Sequence, residues 1–346
     1  MFLKRFSKSI LILTAIQAIL FTACYQKVQR NEINIGSADS IKSMNPILGN
    51  RNESQNFWRL LYQPLVDFDL RNNKAVPVLA VDLPIVTYHD STNTYSLRFE
   101  IKNEAVWDNG LPVTTRDVAF TFKLLKMFDT QNSYALTSEL KEIVFTNDIR
   151  EFTLIIQADS NKKYVEEFDV PILPEYFFDP SNLLFEKNFK ELQSFKQKMP
   201  NEELQKWYDH FLSLNSLSSE TVCGSGAYQL TDKSNQNELL LTRKPDWWGN
   251  AFNTADELIF FQAYPARLHY FMHLKSQMVL KNISEFKLDV YENLTKTDFK
   301  MLKENSDWEK DFVVTNNFIY NKRLTGIETS ASNPGFWEGS FRTTLK

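Results

Sequence analysis

The chain has 346 residues and a formal net charge of −4, with 39 Lys and Arg against 43 Asp and Glu. Hydrophobic residues form 43% of it and aromatic residues 14%, which excludes an intrinsically disordered chain and predicts a well-filled core. The acidic balance argues against nucleic acid as a partner, and the length is sufficient for two domains.

Residues 1–23 are predicted to be a secretory signal. Met1–Ser9 carries three basic residues and no acid, and the apolar run Ile10–Phe21 is too short to span a bilayer comfortably. Small residues then lead into Cys24, as in a bacterial lipobox, so we predict that Cys24 is lipidated and that residues 24–32 form a polar tether. Removal of the signal takes the net charge from −4 to −7, because three positive charges leave with it. An uncleaved N-terminal anchor is the alternative.

Strand and helix patterns alternate along the rest of the chain. In the first half, the patterns predict a strand at Ile33–Ile35, a helix over Glu53–Val66, a half-buried strand at Tyr95–Ile101 and a helix over Arg116–Met127, which a Thr114–Asp117 pair would cap. Strands at Glu142–Thr146 and Phe152–Gln157 and two helices within Ser181–Asn215 are predicted next. The last predicted elements are strands at Ala227–Thr231 and Glu238–Arg243, joined by a loop at Asp232–Asn237, and a strand at Glu257–Tyr264 followed by a helix from Pro265. This alternation predicts an α/β or α+β class with mixed sheets.

His269 and His273 have a spacing that metal sites use. They are four residues apart, and on the helix predicted after Pro265 they would share one face, as zinc ligands can. The three residues between them are aromatic or apolar, so the Glu of the metalloprotease motif is absent. Neither cysteines nor an acidic cluster flank the pair. We therefore predict no metal site and no cofactor.

Gly224-Ser225-Gly226 has the composition of a catalytic or phosphate-binding loop but not the required pattern. A phosphate-binding loop needs a Lys after its second glycine, and a nucleophile elbow needs a residue between the serine and each glycine. Here Ala227 follows the second glycine, and Ser225 lies directly between the two. The segment is therefore predicted to be a backbone bend that leads into a strand.

The other reactive or aromatic residues are interpreted as structural. Cys223 has no disulfide partner if Cys24 is lipidated, so it is predicted to pack in the core. Trp247-Trp248 is predicted to fill the core rather than stack on sugars or bases. The side chains of the adjacent Glu166 and Glu167 would point in different directions on a helix, so these two residues would not form a catalytic pair. A catalytic pair of carboxylates formed by residues from other parts of the fold remains an alternative. The sequence thus predicts a binding protein and not an enzyme.

Short stretches of the chain resemble motifs of the extracellular solute-binding proteins of the peptide/nickel class. The most specific is Val106–Phe120, which is similar to the family signature W-x-D-G-x-P-hydrophobic-T-A-x-D-V and follows a matching strand at Tyr95–Lys102. Shorter stretches keep the family's order: Ser43–Pro46, Leu61–Val66, Ile172–Pro174, Gly224–Tyr228 and Arg243–Gly249. Each stretch is weak alone, and together they identify the chain as a member.

The resemblance implies a mixed α/β fold of the type II periplasmic-binding-protein kind (a Venus flytrap), in which lobes close on the ligand about a hinge. It implies a main lobe from residues 33–68 and 216–320, an inserted α/β subdomain from 69–215, and the start of a second lobe at 321–346. Family members run to about 500 residues, beyond the usual span of one domain. The second, ligand-closing lobe is therefore expected to be largely missing, and the chain is expected not to close on ligand.

The resemblance also implies a function. The chain would be the substrate-binding lipoprotein of an ABC transporter, capturing peptides or a related small solute in the cell envelope for import. It would be a monomer without a cofactor, anchored by lipid to a membrane, facing the periplasm or the exterior, and recognised by ABC permease subunits. An envelope-anchored hydrolase and a non-transport surface binding protein on the same fold are the alternatives.

By the same resemblance, the ligand would be lined by the loop that carries Asn50, Arg51 and Asn52. Arg51 could meet a carboxylate there, and a solvated loop residue is the alternative. Tyr228 and Trp248 are further ligand-binding candidates, for which core positions are the alternative. The residues of the family signature are expected to shape a turn and start a helix rather than contact the ligand.

Overall fold

The computed structural model describes residues 32–37, 40–49, 57–69, 74–128, 139–158, 168–195, 199–216, 218, 222–235, 237–251, 265–275, 278–292, 297, 300, 302, 304, 312–314, 319–322, 324–325 and 344–345. Within these ranges no helix has the length and apolar character needed to cross a membrane.

The strands are β1 (Glu32–Ser37), β2 (Val66–Asp69), β3 (Lys74–Pro77), β4 (Ile85–His89), β5 (Thr94–Glu100), β6 (Leu140–Phe145), β7 (Glu151–Gln157), β8 (Tyr228–Asn235), β9 (Glu238–Arg243), β10 (Arg267–Phe271), β11 (Val290–Glu292), β12 (Phe312–Val314), β13 (Ile319–Asn321), β14 (Leu324–Thr325) and β15 (Thr344–Leu345). The helices are α1 (Thr115–Phe128), α2 (Glu175–Phe178), α3 (Phe189–Phe195), α4 (Glu202–Ser213) and α5 (Val279–Glu285). Residues 57–61 are also helical.

The larger sheet is mixed and has the strand order β12-β13-β11-β1-β10-β9-β8. Its central strand β1 runs parallel to β10 on one side and to β11 on the other. Ile33 and Ile35 of β1 are fully buried, and Asn34 between them is buried as well. The Asn34 amide donates to the carbonyl groups of Phe286 and Lys287 at 3.1 and 3.2 Å, which fastens the loop after α5 to the sheet.

A second, antiparallel sheet has the order β4-β5-β7-β6. The alternation that predicts a half-buried strand at Tyr95–Ile101 is confirmed in β5, where Leu97 and Phe99 are buried and Arg98 and Glu100 are exposed. The strands predicted around Glu142–Thr146 and Phe152–Gln157 are β6 and β7. The buried faces of both sheets belong to one continuous hydrophobic core, and a smaller cluster surrounds α5.

Helix α1 is buried on almost every side, and its start explains part of the family signature. The Asp117 carboxylate accepts the Thr114 backbone N–H at 2.7 Å and the Thr114 hydroxyl at 3.1 Å. This is the acidic half of the predicted capping pair, in which the side chain reaches back to an otherwise unpaired N–H group. Helices α3 and α4 lie within the predicted helical stretch Ser181–Asn215, and the Asn201 side chain caps α4 by accepting the Leu204 N–H at 2.8 Å.

The helix predicted from Pro265 was wrong, because Arg267–Phe271 is strand β10, paired with β1 and β9 along its two edges. A short apolar run fits a buried strand and a buried helix equally well, and here neighbouring strands on both sides decide the outcome. The prediction that His269 and His273 share one face of a helix is therefore also wrong, since His269 lies within β10 and His273 follows that strand.

The loop predicted at Asp232–Asn237 is shorter in the structure. Strand β8 continues to Asn235 and pairs with β9 through two register irregularities, between Leu230 and Asp232 and between Asp232 and Asn235. The polar composition of the segment predicted a loop. Irregular pairing of this kind allows polar residues to remain within a strand, so the strand continues further than predicted.

Candidate functional site

Three of the stretches that carry the resemblance meet at Asp108. The Asp108 carboxylate accepts the Gly224 backbone N–H at 2.8 Å and forms an ion pair with Lys244. The Lys244 ammonium also donates to the Gly226 carbonyl group at 2.7 Å, and its backbone N–H donates to Ala227 at 2.9 Å. Burial lowers the pKa of Lys244 below its usual value, and the Asp108 charge opposes that shift.

The two glycines of Gly224-Ser225-Gly226 are required by a close backbone approach. A Cβ atom on Gly224 would lie 2.1 Å from the Leu61 carbonyl oxygen, and one on Gly226 would lie 2.2 Å from that of Leu60. The Gly226 N–H donates to the Leu61 carbonyl group at 2.8 Å. The segment therefore satisfies the Leu61 carbonyl group at the end of helix 57–61, and its prediction as a backbone bend is confirmed.

Both tryptophans of the Trp247-Trp248 pair are held by one acceptor. Their indole N–H groups donate to the Ser225 carbonyl group at 2.9 and 2.7 Å. The two rings are buried, as the sequence predicts. A small open cavity of about 240 Å³ lies beside them, lined by Val106, Trp107, Asp108, Ser225, Gln229 and residues 244–248.

Cys223 is buried and lies near two tyrosines, the buried Tyr62 and the half-buried Tyr176. Its thiol is 2.9 Å from the Tyr176 hydroxyl, and burial raises the pKa of Cys223 above its usual value. Burial also raises the pKa of Tyr62 and of Tyr176. A thiol that stays protonated is a poor nucleophile, so this group supports the packing role predicted for Cys223.

The strongest candidate for a solute-contacting surface is one edge of the larger sheet. Strands β1, β10 and β11 are parallel, and their register places Gly36 beside Phe271 and Ser37 beside Glu292, so that all three end at the same edge. We call this the carboxyl edge. In open α/β sheets, ligands bind in the crevice outside the carboxyl ends of the strands.

Two segments cross the carboxyl edge side by side. The Leu274 backbone N–H donates to the Ser37 carbonyl group at 3.0 Å, and the Ile41 backbone N–H lies 3.3 Å from the Met272 sulfur. Residues 40–49 therefore leave β1, and residues 272–275 leave β10, as neighbours. This juxtaposition could not be read from the sequence, because it depends on β10 being a strand and not a helix.

The ligand-binding residues expected from the resemblance divide into two groups. Asn50, Arg51 and Asn52, together with the lipidation residue Cys24, lie outside the described residues. Tyr228 is 1% exposed, and its hydroxyl donates to the Pro265 carbonyl group at 2.6 Å. Trp248 lines the cavity beside Asp108. Neither side chain lies on the two segments that cross the carboxyl edge.

Within the described ranges, no three His, Cys, Asp or Glu side chains converge in a way that could hold a metal ion. His269 lies between two carboxylates, 4.0 Å from Glu32 and 3.6 Å from Glu238. The sequence did not predict this arrangement, which joins three neighbouring strands.

The family to which the chain belongs is shown by a sequence profile that matches most of the chain. Residues 74–319 match the profile described as bacterial extracellular solute-binding proteins, family 5 Middle. This chain belongs to family 5 of the bacterial extracellular solute-binding proteins. The signature around Asp108, the Gly224–Gly226 bend and Lys244 all lie within the matched region.

Solved structures similar to this family 5 protein are periplasmic binding proteins of type II, the fold that the resemblance implies. An oligopeptide-binding protein from Thermus thermophilus, complexed with a pentapeptide, is 18% identical with a TM-score of 0.56, over 77% of this chain and 45% of that one. OppA of Haemophilus influenzae, in complex with the peptide RPPGFSPFR, is 16% identical with a TM-score of 0.57, over 83% and 50%.

In sequence, the family 5 protein is similar to a peptidoglycan-binding protein, YepA, of Agrobacterium fabrum. The two are 26% identical over 241 residues, which is 65% of this chain and 33% of YepA. The chain thus matches half or less of the length of each of these three proteins.

Proposed function

We propose that this family 5 protein is the substrate-binding component of an ABC importer and captures peptides or a related small solute in the cell envelope. The geometric support is the carboxyl edge, where three parallel strands end together and two chain segments cross. Family membership supports the solute-binding class. The names of similar proteins, which include oligopeptide-binding and peptidoglycan-binding proteins, support peptides as the first solutes to test.

The arrangement supports binding without chemistry on the solute. Main-chain groups are common to all peptides, so a crevice that uses them binds many sequences, and bridging water molecules adapt to the side chains. We propose that Asn50, Arg51 and Asn52 continue the crevice beyond residue 49. ABC permease subunits would be the protein partners, and the binding protein would act as a monomer.

The remaining proposals concern anchoring and domain division. Lipidation at Cys24 would hold the protein at a membrane, facing the periplasm or the exterior. The predicted division into residues 33–68 with 216–320 and an inserted 69–215 is supported by the two sheets. The strands of the larger sheet lie at 32–37 and within 228–321, and those of the four-stranded sheet lie within 85–157.

Hydrogen exchange with and without solute tests the proposed function and locates the site. The chain would be incubated with a millimolar panel of peptides of two to nine residues, and amide exchange measured by mass spectrometry. Protection is expected in residues 40–49 and 271–275. Residues 85–100, which contain β4 and β5 of the four-stranded sheet, are the internal control and should not change. The proposal fails if no peptide alters exchange, or if protection is confined to the four-stranded sheet.

A further inference from the structure

His273 has a backbone conformation that is unfavourable for its side chain. Four non-glycine residues in the described ranges have positive φ: Asn93, Asn182, His273 and Lys287. Asparagine enters this region readily, because its short side chain bonds locally. Histidine is also found in this region more often than most residues, but the conformation still costs about 1 kcal/mol relative to glycine. At φ 57°, His273 therefore retains an imidazole where glycine would be more stable.

The position of His273 gives a reason for retaining the side chain. The residue follows β10 at the carboxyl edge and is exposed to solvent. Its neighbours Leu274 and Met272 form hydrogen bonds with Ser37 and Ile41, respectively, across the two segments. Strained residues that the surrounding structure keeps in place concentrate at binding sites.

The charge at this position differs from that of the whole chain. The protein carries a net charge of −4, yet residues 40–49 and 271–275 contain no Asp or Glu. Their ionisable side chains are Lys42, His273 and Lys275, all of them exposed. The two segments therefore carry three exposed nitrogen donors and no carboxylate, and the acidic residue that the register brings to the carboxyl edge is Glu292, at the end of β11.

We propose that His273, together with Lys42 and Lys275, binds a side-chain carboxylate of the solute, so that the preferred solutes are acidic peptides. This inference rests on the proposed function and names the solute class of the same edge. Ammonium and imidazole N–H groups form charge-assisted hydrogen bonds with a carboxylate. Exposed contacts of this kind are individually weak and weaken further with salt.

Lys287 provides a matched control for His273. It also has positive φ, at 51°, and an exposed basic side chain, but it lies between α5 and β11, where its carbonyl group accepts an N–H of the Asn34 side chain at 3.2 Å. Replacement by glycine relieves the same backbone strain in both variants. His273→Gly and Lys287→Gly should therefore both raise the melting temperature, whereas only His273→Gly should alter solute preference.

The experiment compares two tripeptides, Ala-Glu-Ala and Ala-Gln-Ala, which differ in one carboxylate and share both termini. Titration calorimetry at low ionic strength would measure both against the wild type, His273→Gly and Lys287→Gly. We expect the wild type and Lys287→Gly to bind the glutamate peptide about fivefold more tightly. His273→Gly should lose most of that preference, and 0.5 M salt should reduce it in every variant.

Each other outcome overturns the inference in a distinguishable way. Equal affinity of the wild type for the two peptides would remove the carboxylate preference and leave the proposed function intact. Binding of neither peptide to the wild type would remove both. A preference that survives in His273→Gly, or that disappears in Lys287→Gly as well, would show that the carboxylate is not bound at this position.

Discussion

Asp108 and Lys244 are 136 residues apart in the sequence and form an ion pair beside the Gly224–Gly226 bend. The Lys244 side chain is 14% exposed and that of Asp108 31%. The pair joins the turn of the family signature to the end of β9, and the charge of each residue compensates the desolvation of the other.

Disruption of this pair should destabilise the protein. In Asp108→Ala the Lys244 ammonium stays largely buried without its counter-charge, so we expect a loss of about 2 kcal/mol in the free energy of unfolding. A double-mutant cycle with Lys244→Met should give a coupling energy of at least about 1 kcal/mol by urea unfolding.

The Glu202–Lys206 pair of α4 is the control for this cycle. Its side chains are 83% and 74% exposed, and the residues are one helical turn apart. The same cycle on this pair should give a coupling of about 0.5 kcal/mol or less. Equal coupling in the two cycles would contradict the stabilising role assigned to Asp108 and Lys244.

Gly226→Ala is expected to cost about 2–4 kcal/mol in the free energy of unfolding. The new methyl group would meet the backbone of Leu60 at 2.2 Å, and helix 57–61 would have to move to accept it. Gly110→Ala is the comparison, because Gly110 has φ 82° but no atom within 4 Å of the added carbon. It should cost only about 1 kcal/mol of backbone strain. A smaller loss for Gly226→Ala than for Gly110→Ala would refute the close-approach explanation.

The stability of the protein should fall as pH rises from about 4 to about 6, through Asp117. Burial raises the pKa of this carboxyl group to about 6, although hydrogen bonds from Thr114, Glu175 and Trp107 oppose the shift. The folded protein then binds a proton that the unfolded chain, with a pKa near 3.9, releases over this window. The stabilisation is therefore complete below about pH 4 and is lost as pH passes through about 6.

Asp117→Asn supplies the reference that does not titrate. The wild-type free energy of unfolding, minus that of the variant, should decrease by up to about 3 kcal/mol between pH 4 and 6.5 in urea titrations. The variant should nevertheless be less stable than the wild type at low pH, because its NH₂ group would face backbone N–H donors of Thr114 or Glu175. A difference that grows with pH would mean that those hydrogen bonds outweigh burial.

Cys24→Ser tests the lipid anchor. If Cys24 is lipidated, labelled palmitate should be incorporated into the wild type and not into the variant, and the variant should leave the membrane fraction. Cys223→Ser is the control and should remain labelled, since Cys223 is buried. Equal labelling of the wild type and Cys24→Ser would contradict lipidation at this residue.

Local patterns in the sequence determined several elements because the information for each lies within a few residues. The alternation at Tyr95–Ile101 determined β5, and the Thr114–Asp117 pair determined the start of α1. The ordered motifs determined the family, which the match over residues 74–319 confirms.

Only the tertiary structure decided the carboxyl edge and the environments of the histidines. Whether Arg267–Phe271 forms a strand depends on β1 and β9 beside it, and β1 lies more than 200 residues away in the sequence. The ion pair between Asp108 and Lys244 likewise joins segments that are distant in the sequence. The hydrophobic periodicity of a segment indicates which face of a helix or strand is buried, but it does not indicate which other element packs against that face.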